Sequence, residues 1–378
     1  MQVTFVLADT VLRHAKLFLL KQPVAAASIS RDPLTPCVPM NGARSDRLLA
    51  LLFGTLILLG SHTEPVAAQK ALRPEVEAFI GEMVHKHEFR RDRLRRLFSQ
   101  VRPRPAIIRA MSAPATAKPW YEFRDRYVNA ARIDGGIRFW QENVVTLARA
   151  RREFGVPEEI IVAIIGIETF YGRSTGSFRV LDALATLAFD YPPRAGFFMG
   201  ELEEYLLLSR EAGLNMLDVK GSYAGAIGIP QFLPSSYRKY AVDFNGDGRR
   251  NLDDTVDSIG SVANYLQAFG WRPGEPVVIP AEAGDSEIDT MLAAGIKPGI
   301  RIGELRRRGV VPLAPVSDEA ETALFSVESE AGPRYWLGLQ NFYVITRYNR
   351  SINYAMAVHD LASGLRASMT QSGETVKD

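Results

Sequence analysis

One carboxylate, Glu168, ends an apolar run in the segment IIGIETFYG, which covers residues 164–172. Burial penalises an ionised carboxylate, so apolar surroundings raise its pKa and let it hold a proton near neutral pH. A protonated acid in such surroundings is what general acid catalysis requires. Glu168 therefore predicts acid–base chemistry, with a capping or ion-paired structural glutamate as the alternative.

A glycine-rich stretch, GSYAGAIGIPQF at residues 221–232, follows about fifty residues later. Glycine lets a ligand approach the backbone closely, and Ser222 and Gln231 supply a hydroxyl and an amide to hold one. Tight packing between helices is the alternative use of these glycines. Together with Glu168, the stretch predicts a binding loop beside a catalytic acid.

An acidic stretch, DFNGDGR at residues 243–249, has the spacing of a calcium-binding EF-hand loop. Such loops place oxygen ligands at alternate positions, a glycine at the sixth and a backbone carbonyl at the seventh. The twelfth position is an aspartate here, not the usual glutamate, and an Asx-rich turn without metal is the alternative. The ion's role would be structural. The expected ligands are Asp243, Asn245, Asp247, the Arg249 carbonyl, Asn251 and Asp254.

The residues before Glu168 predict the helix that must position it. Pro157 suits a first helical turn, and Glu158 and Glu159 are favourable near a helix N-terminus. The run of isoleucine and valine also resembles a strand, but these start signals and a length of about 13 residues favour a helix. Because the run is apolar on every side, we expect the helix to be buried.

Helical periodicity dominates the remaining sequence. Between about residues 275 and 345, proline and glycine become frequent and short apolar runs predict strands. The predicted fold class is mainly α (α+β), with a small inserted region of short strands and a C-terminal helix packed back on the core. Helices are predicted at residues 74–100, 135–154, 196–213, 255–270 and 351–366, and strands at 324–327, 335–338 and 342–345.

The N-terminal residues have the anatomy of a secretory signal peptide. Residues 48–60 form an apolar run that is shorter than the roughly 20 residues of a membrane span. Arg44 and Arg47 precede it, and residues 66–68 (VAA) resemble a cleavage site. We expect translation to start at Met40 and residues 1–68 to be absent from the mature chain; an uncleaved anchor helix is the alternative.

The composition indicates a globular, exported chain. Its 378 residues are 47% hydrophobic, and the formal net charge of +2 gives no reason to expect a nucleic acid partner. The only cysteine, Cys37, precedes the apolar run, so the mature chain has no disulfide and no cysteine to carry a lipid. We expect a soluble periplasmic protein with a catalytic region at residues 69–368 and a polar tail at 369–378.

Ordered motifs over roughly residues 74–366 resemble the membrane-bound type B lytic murein transglycosylases, glycoside hydrolase family 103. The matching segments are IIGIETFYGR around Glu168, AFDYPPRAGFF at 188–198, GSYAGAIGIPQFLPSSY at 221–237, DFNGDGRRNL at 243–252, GSVANYL at 260–266 and RYNRSINYAMAV at 347–358.

The resemblance implies a lysozyme-like helical core in which Glu168, in the GxET motif, is the sole acid and base. The family cleaves the β-1,4 bond between N-acetylmuramic acid and N-acetylglucosamine in peptidoglycan without water, and forms 1,6-anhydromuramic acid. Ordinary glycosidases use two carboxylates, yet neither the Glu168 motif nor the glycine-rich loop contains a second one. Asp182 and Asp190 remain candidates for a partner that the fold brings back.

Other implied roles carry over position by position. Arg194 matches a basic position suited to peptide-stem carboxylates, whereas Pro193 departs from the family's paired arginines. Phe123 and Phe197 stand where tyrosine is expected, so sugar stacking is kept while a hydroxyl contact is lost. For each lone aromatic, core packing is the alternative. The implied substrate-binding residues are Ser222, Gln231, Tyr265, Tyr348, Asn349, Tyr354 (expected near Glu168), Arg194, Phe197 and Phe123.

The resemblance also bears on ligands and partners. The family's loop resembles a lengthened EF-hand, so Asp257 is an alternative to Asp254 as the closing Ca²⁺ ligand. Glycan strands of peptidoglycan are the expected substrate of a monomer, with envelope-machinery proteins as candidate partners. A muramidase that uses water and a non-catalytic peptidoglycan-binding protein are the alternative functions. An anhydro product would exclude the first, and the retained Glu168, Ser222 and Gln231 argue against the second.

Overall fold

The computed structural model describes residues 71–112, 118–284 and 288–371, and this part of the chain is mainly helical, as the sequence predicts. The predicted signal peptide and its start at Met40 lie outside the described residues, as does most of the predicted polar tail. Among the described helices, none has the length and apolar character to cross a membrane. The α-helices are α1 (Pro74–His87), α2 (Arg91–Phe98), α3 (Pro105–Ser112), α4 (Trp120–Tyr127), α5 (Ala130–Glu142), α6 (Val144–Phe154), α7 (Glu158–Thr169), α8 (Val180–Asp190), α9 (Ala195–Glu211), α10 (Pro234–Tyr240), α11 (Thr255–Ala268), α12 (Ile288–Ala293), α13 (Ile302–Arg307), α14 (Gln340–Tyr348) and α15 (Ile352–Gln371).

Two predicted helices are each a pair of shorter ones. The helix predicted at 74–100 is α1 and α2, separated where Glu88 adopts a left-handed conformation (φ 58°). The helix predicted at 135–154 is α5 and α6, which meet at Asn143. Both helices of each pair contribute to one hydrophobic cluster, so the apolar periodicity continues through the breaks. The remaining three predicted helices correspond to α9, α11 and α15.

Helix α7 is the centre of the main core. Every residue of it except Glu159 is buried, as expected for a helix that is apolar on all sides. It packs against α5, α6, α11 and α15. The helix that carries Glu168 is therefore enclosed by helices from before and after it in the sequence.

The inserted region forms an antiparallel sheet of five strands. Phe325 and Val327 of this sheet belong to the main core, whereas Leu324 and Leu337 belong to a second, smaller hydrophobic cluster. The sheet thus joins the insertion to the helical core through one face. The five strands are β3 (Val278–Ala283), β4 (Ile300–Arg301), β5 (Val310–Pro312), β6 (Glu321–Ser329) and β7 (Gly332–Gly338), and their order in the sheet is β4-β6-β7-β3-β5. Outside the insertion, two short strands, β1 (Phe178–Arg179) and β2 (Lys220–Gly221), pair with each other.

The strand predicted at 342–345 is wrong, because these residues lie in α14. Phe342 stacks on Phe325 of β6 with ring centroids 4.4 Å apart. The amide of Asn341 donates to the carbonyl oxygens of Arg272 and Glu275 at 2.8 and 2.7 Å. A β-prone run therefore forms a helix because distant segments fix its start and its buried side.

Candidate active site

Glu168 lies in the last turn of α7 and is 7% exposed. Its Oε1 accepts a hydrogen bond of 2.7 Å from the hydroxyl of Tyr354, in the first turn of α15. Burial raises the pKa of Glu168 to about 8, and the Tyr354 hydrogen bond acts against this rise. A carboxyl group with a pKa of about 8 is largely protonated at neutral pH, and it can still release and regain its proton at that pH.

The turn after Glu168 is held in an unusual conformation. Phe170 and Tyr171 both adopt left-handed backbone angles, with φ of 52° and 61°. The Tyr171 ring folds back over α7, and a Cβ at Gly166 would lie 2.5 Å from its hydroxyl oxygen. That hydroxyl donates to the Arg132 carbonyl at 2.7 Å. Glycine at position 166 therefore leaves room for the Tyr171 ring. The left-handed angles of Phe170 and Tyr171 are strained for residues other than glycine, and such strain is common at functional sites.

Thr169 joins the end of α7 to the glycine-rich loop. Its Oγ1 donates to the carbonyl of Ile229 at 2.9 Å and accepts from the amide of Gly172 at 3.0 Å. The threonine of the GxET motif thus fixes the loop beside Glu168. The sequence reasoning did not assign this role, although the position directly after the acid was the available signal.

The glycine-rich loop is stabilised by the two polar residues predicted to bind ligand. The Ser222 hydroxyl accepts from the backbone N–H of Ala224 and Ala226 at 3.3 and 3.1 Å. The Gln231 amide donates to the carbonyls of Thr175 and Gly228 at 3.0 and 2.8 Å. Both side chains are buried. Some glycines of the loop also serve packing, since a Cβ at Gly225 would meet Leu184.

Three of the predicted tyrosines form an aromatic cluster behind Glu168. Ring centroids are 4.9 Å apart for Tyr265 and Tyr348, and 6.5 Å apart for the stacked rings of Tyr348 and Tyr354. The Tyr348 hydroxyl donates to the Pro230 carbonyl and the Tyr265 hydroxyl to the Arg347 carbonyl, at 2.6 and 2.7 Å. Of the three hydroxyls, that of Tyr354 is the one bonded to Glu168. Asn349, at the end of α14, is buried beside them.

The remaining predicted substrate residues lie on other elements. Arg194 follows α8, and its guanidinium carbon lies 4.4 Å from the ring centroid of Phe197. Within the described residues, its two terminal nitrogens are buried without a hydrogen-bond partner. Phe123 of α4 is buried against Trp120 and Tyr127. Tyr127, one helical turn after Phe123, was not among the predicted residues.

The two aspartates considered as partners of Glu168 have other contacts. Asp182 is buried and accepts from the Arg102 amide at 2.9 Å and from the guanidinium of Arg179. Asp190 pairs with Arg73 at 2.6 Å. Among the described residues, no carboxylate is hydrogen-bonded to Glu168. Both aspartates are therefore held by arginines, and neither is hydrogen-bonded to Glu168.

The acidic loop at residues 243–257 is closed by its own backbone N–H groups. Asp243 accepts from the amides of Gly246, Asp247 and Gly248 at 2.7 to 3.1 Å. Asn245 and Asp247 each accept from the amide two residues later. Within the described residues, no cluster of three or more His, Cys, Asp or Glu side chains is close enough to hold a metal ion.

The two candidates for the closing ligand differ in their surroundings. Asp254 is the N-cap of α11 and accepts from the amides of Val256 and Asp257. Asp257 is fully buried and reaches across the loop to the amides of Phe244, Asn245 and Asn251. Asp257 contacts both halves of the loop, whereas the Asp254 carboxylate caps the start of α11. Asp257 is therefore the better candidate for the closing Ca²⁺ ligand.

Comparisons with known proteins agree with this geometry. The family model described as the transglycosylase SLT domain matches residues 71–363. Membrane-bound lytic murein transglycosylase B of Escherichia coli K12 is 43% identical over 311 residues, which cover 80% of this chain and 85% of the relative.

Solved structures of similar sequence have the same fold. Soluble lytic transglycosylase SltB1 of Pseudomonas aeruginosa is 49% identical, with a TM-score of 0.74 over 79% of this chain and 100% of that one. Escherichia coli lytic transglycosylase Slt35, in complex with calcium, is 42% identical, with a TM-score of 0.71 over 80% and 95%. SltB3 of Pseudomonas aeruginosa, in complex with NAG-anhNAM-pentapeptide, is 30% identical, with a TM-score of 0.67 over 77% and 78%. The chain belongs to the transglycosylase SLT domain family and is a peptidoglycan lytic transglycosylase with a lysozyme-like helical core.

Proposed function

We propose that Glu168 is the sole acid and base of a non-hydrolytic cleavage between N-acetylmuramic acid and N-acetylglucosamine. The observation that carries this proposal is the single buried carboxyl group at the end of α7, whose pKa burial raises to about 8. Two-carboxylate glycosidases need a second group as nucleophile or base. Asp182 and Asp190 are instead paired with Arg179 and Arg73, which supports a mechanism that uses one carboxylate.

In the first step, the Glu168 carboxyl proton passes to the glycosidic oxygen as the bond to C1 of the muramoyl residue breaks. The resulting carboxylate then takes the proton from the C6 hydroxyl of the same sugar while that oxygen bonds to C1. The proton balance closes, because Glu168 ends as it began. The products are a 1,6-anhydromuramoyl terminus and a free N-acetylglucosamine hydroxyl, and no water is consumed.

Tyr354 and Thr169 position the acid in this proposal. The Tyr354 hydroxyl holds one carboxyl oxygen, so the other is the atom that faces substrate. Thr169 ties α7 to the loop that carries Ser222 and Gln231. The groove lining is proposed to consist of Ser222, Gln231, Tyr265, Tyr348, Asn349, Tyr354, Arg194, Phe197 and Phe123.

Product analysis tests the proposal. Digested sacculi should yield muropeptides with an anhydro end, which lack one water and resist borohydride reduction. A muramidase would give reducing muramic acid of higher mass, and a binding protein would give no soluble product. Reducing ends as the main product would contradict the proposal.

We further propose that the acidic loop binds Ca²⁺ through Asp243, Asn245, Asp247, the Arg249 carbonyl and Asp257, with Asn251 nearby. The oxygen-rich side chains and the left-handed glycines Gly246 and Gly248 fit a hard cation that prefers oxygen ligands. Bound calcium would hold the loop against α11 and take no part in proton transfer. A melting temperature that is the same with calcium and with chelator would exclude this site.

We also propose that the chain is exported to the periplasm and cut near Ala68, which leaves one catalytic region at 69–368. The support is the order of arginines, apolar run and small residues before position 69. N-terminal sequencing of the protein from an envelope fraction tests this. A mature protein that begins at residue 1, or one found wholly with membranes, would overturn it.

A further inference from the structure

Three arginines beside the turn after Glu168 have no acidic partner. The guanidinium carbons of Arg126 and Arg132 lie 5.9 and 5.1 Å from the ring centroid of Tyr127. Those of Arg132 and Arg173 lie 5.2 and 5.3 Å from the ring centroid of Phe170. In the described part of the chain, no carboxylate lies within 4.0 Å of any of the three. Arg126, Arg132 and Arg173 are called the arginine cluster below.

This arrangement is unusual for buried polar groups. Tyr127 is 1% exposed and its hydroxyl has no hydrogen-bond partner among the described residues, nor has Nε of the half-buried Arg132. Buried polar atoms are nearly always paired, so unpaired ones call for a ligand or an ordered water.

The cluster adjoins the catalytic acid. Phe170 is the residue that ends α7, two positions after Glu168. Burial raises the pKa of the Tyr127 hydroxyl, and the charges of Arg126, Arg132 and Glu168 all act on it. Arg132 contacts the rings of both Tyr127 and Phe170, so an anion held by Arg132 would lie near the catalytic acid.

We propose that the arginine cluster binds a carboxylate of the peptide stem carried by the muramoyl residue, with Arg132 as the anchor. The inference rests on the proposed function. The two sugars of a glycan strand are uncharged where the lactyl group is amidated, so the stem carries the substrate's anionic groups. Guanidinium groups bind carboxylates through two parallel hydrogen bonds, and the exposed Arg173 adds attraction at longer range.

This site differs from that of Arg194, the position which the family resemblance associates with stem carboxylates. Arg194 packs on Phe197 and Phe198, after α8, whereas Arg132 is in the first turn of α5. The two arginines therefore lie on different elements, and the proposed site is separate from the one that the resemblance associates with Arg194.

The test compares two substrates with the full mature chain. One is a preparation of glycan strands whose stem peptides keep their free carboxylates (peptide-bearing strands), and the other is the same strands after carbodiimide and ammonia have converted those carboxylates to neutral amides (neutralised strands). Initial rates of anhydro-product release give kcat/KM for each. Arg132→Gln should lower kcat/KM on peptide-bearing strands about tenfold, the effect of losing a hydrogen bond to a charged group, and leave it within about twofold on neutralised strands. Arg132→Lys should restore part of the loss.

Two further variants keep the proposal falsifiable if Arg132→Gln folds poorly. Arg173→Gln, at an exposed position, should give a smaller loss on peptide-bearing strands and a weaker salt dependence. Arg138→Gln removes an exposed charge from the same helix outside the cluster and should change neither rate. Equal losses on both substrates, or no loss on either, would overturn the stem-binding role. Absence of anhydro product from the unaltered enzyme on both substrates would instead count against the proposed chemistry.

Discussion

At the end of α7, Glu168 is 7% exposed and accepts a hydrogen bond from one hydroxyl, whereas Asp257 in the acidic loop is 0% exposed and accepts three, all from backbone N–H groups. Both carboxylates are buried. Three backbone N–H groups hold the Asp257 carboxylate across the loop, whereas burial among apolar residues favours the neutral form of Glu168 and raises its pKa to about 8. The two carboxylates thus share burial but differ in their hydrogen-bond donors, and this difference accompanies the two proposed roles, proton transfer for Glu168 and loop structure for Asp257.

The largest effect on activity is expected from a substitution of Glu168. Glu168→Gln keeps the shape of the side chain but cannot exchange a proton. Because one group supplies both proton transfers, and each is worth roughly 10²–10⁴-fold, release of anhydro-muropeptides should fall by at least that much. Glycan binding and the melting temperature should be retained, which a pull-down on sacculi and a thermal melt would measure.

Glu158 provides the matched control for that variant. It lies at the opposite end of α7, is also buried, and its pKa is also raised by burial. Glu158→Gln should therefore leave the rate of product release unchanged. Near wild-type release by Glu168→Gln, or equal losses in both variants, would mean that Glu168 is only a structural residue.

The second prediction concerns Asp257 and the acidic loop. If the loop binds calcium, the ion at 100 times its dissociation constant should stabilise the fold by about 2.7 kcal/mol. Asp243→Asn and Asp257→Asn should each abolish the calcium-dependent rise in melting temperature, measured by scanning calorimetry with calcium or chelator.

Asp254 distinguishes the two candidates for the closing ligand. Its present contacts are those of a helix N-cap, a role that asparagine fills equally well. Asp254→Asn should therefore retain the calcium response. A response lost in Asp254→Asn and kept in Asp257→Asn would reverse the assignment.

A third prediction concerns the packing of the turn after Glu168 and its effect on the free energy of unfolding. Gly166→Ala would place a Cβ 2.5 Å from the Tyr171 hydroxyl, which is held by the Arg132 carbonyl. Overpacking of this kind typically costs about 1–3 kcal/mol, so the free energy of unfolding in urea should fall by that amount. In α9, Gly200→Ala meets no atom within 4 Å and should stabilise the protein by up to about 1 kcal/mol. Equal effects of the two substitutions would refute the packing argument.

The smallest expected effect concerns the single donor to Glu168. Since the acid must be protonated, kcat/KM should decline as the pH rises through about 8. The Tyr354 hydrogen bond lowers the pKa of Glu168, so Tyr354→Phe should shift this decline to higher pH. Folding linkage has the matching sign: the folded pKa lies above the unfolded one, so this group's contribution to stability falls as the pH rises from about 4.5 to 8. A pH profile of Tyr354→Phe that is unshifted, or shifted to lower pH, would contradict the assignment.

Local patterns in the sequence were sufficient to predict α7, the glycine-rich loop and the acidic loop. The burial of α7 follows from its apolar residues on every side, and its start follows from Pro157 and the two glutamates after it, Glu158 and Glu159. Those features depend on neighbours within a few residues, which is the range over which helix caps and loop spacings act. The ordered motifs around Glu168 likewise indicated the family that the comparisons show.

Contacts between distant residues decided what the sequence could not. Tyr354 reaches Glu168 across 186 positions, and Thr169 reaches Ile229 across 60. The run at 342–345 has strand composition but is helical, because Arg272 and Glu275 fix its start. Local propensity is weak compared with such packing and hydrogen bonding. The sequence therefore identified Glu168 as the candidate acid, and the tertiary structure supplied the Tyr354 hydrogen bond and the burial that shift its pKa.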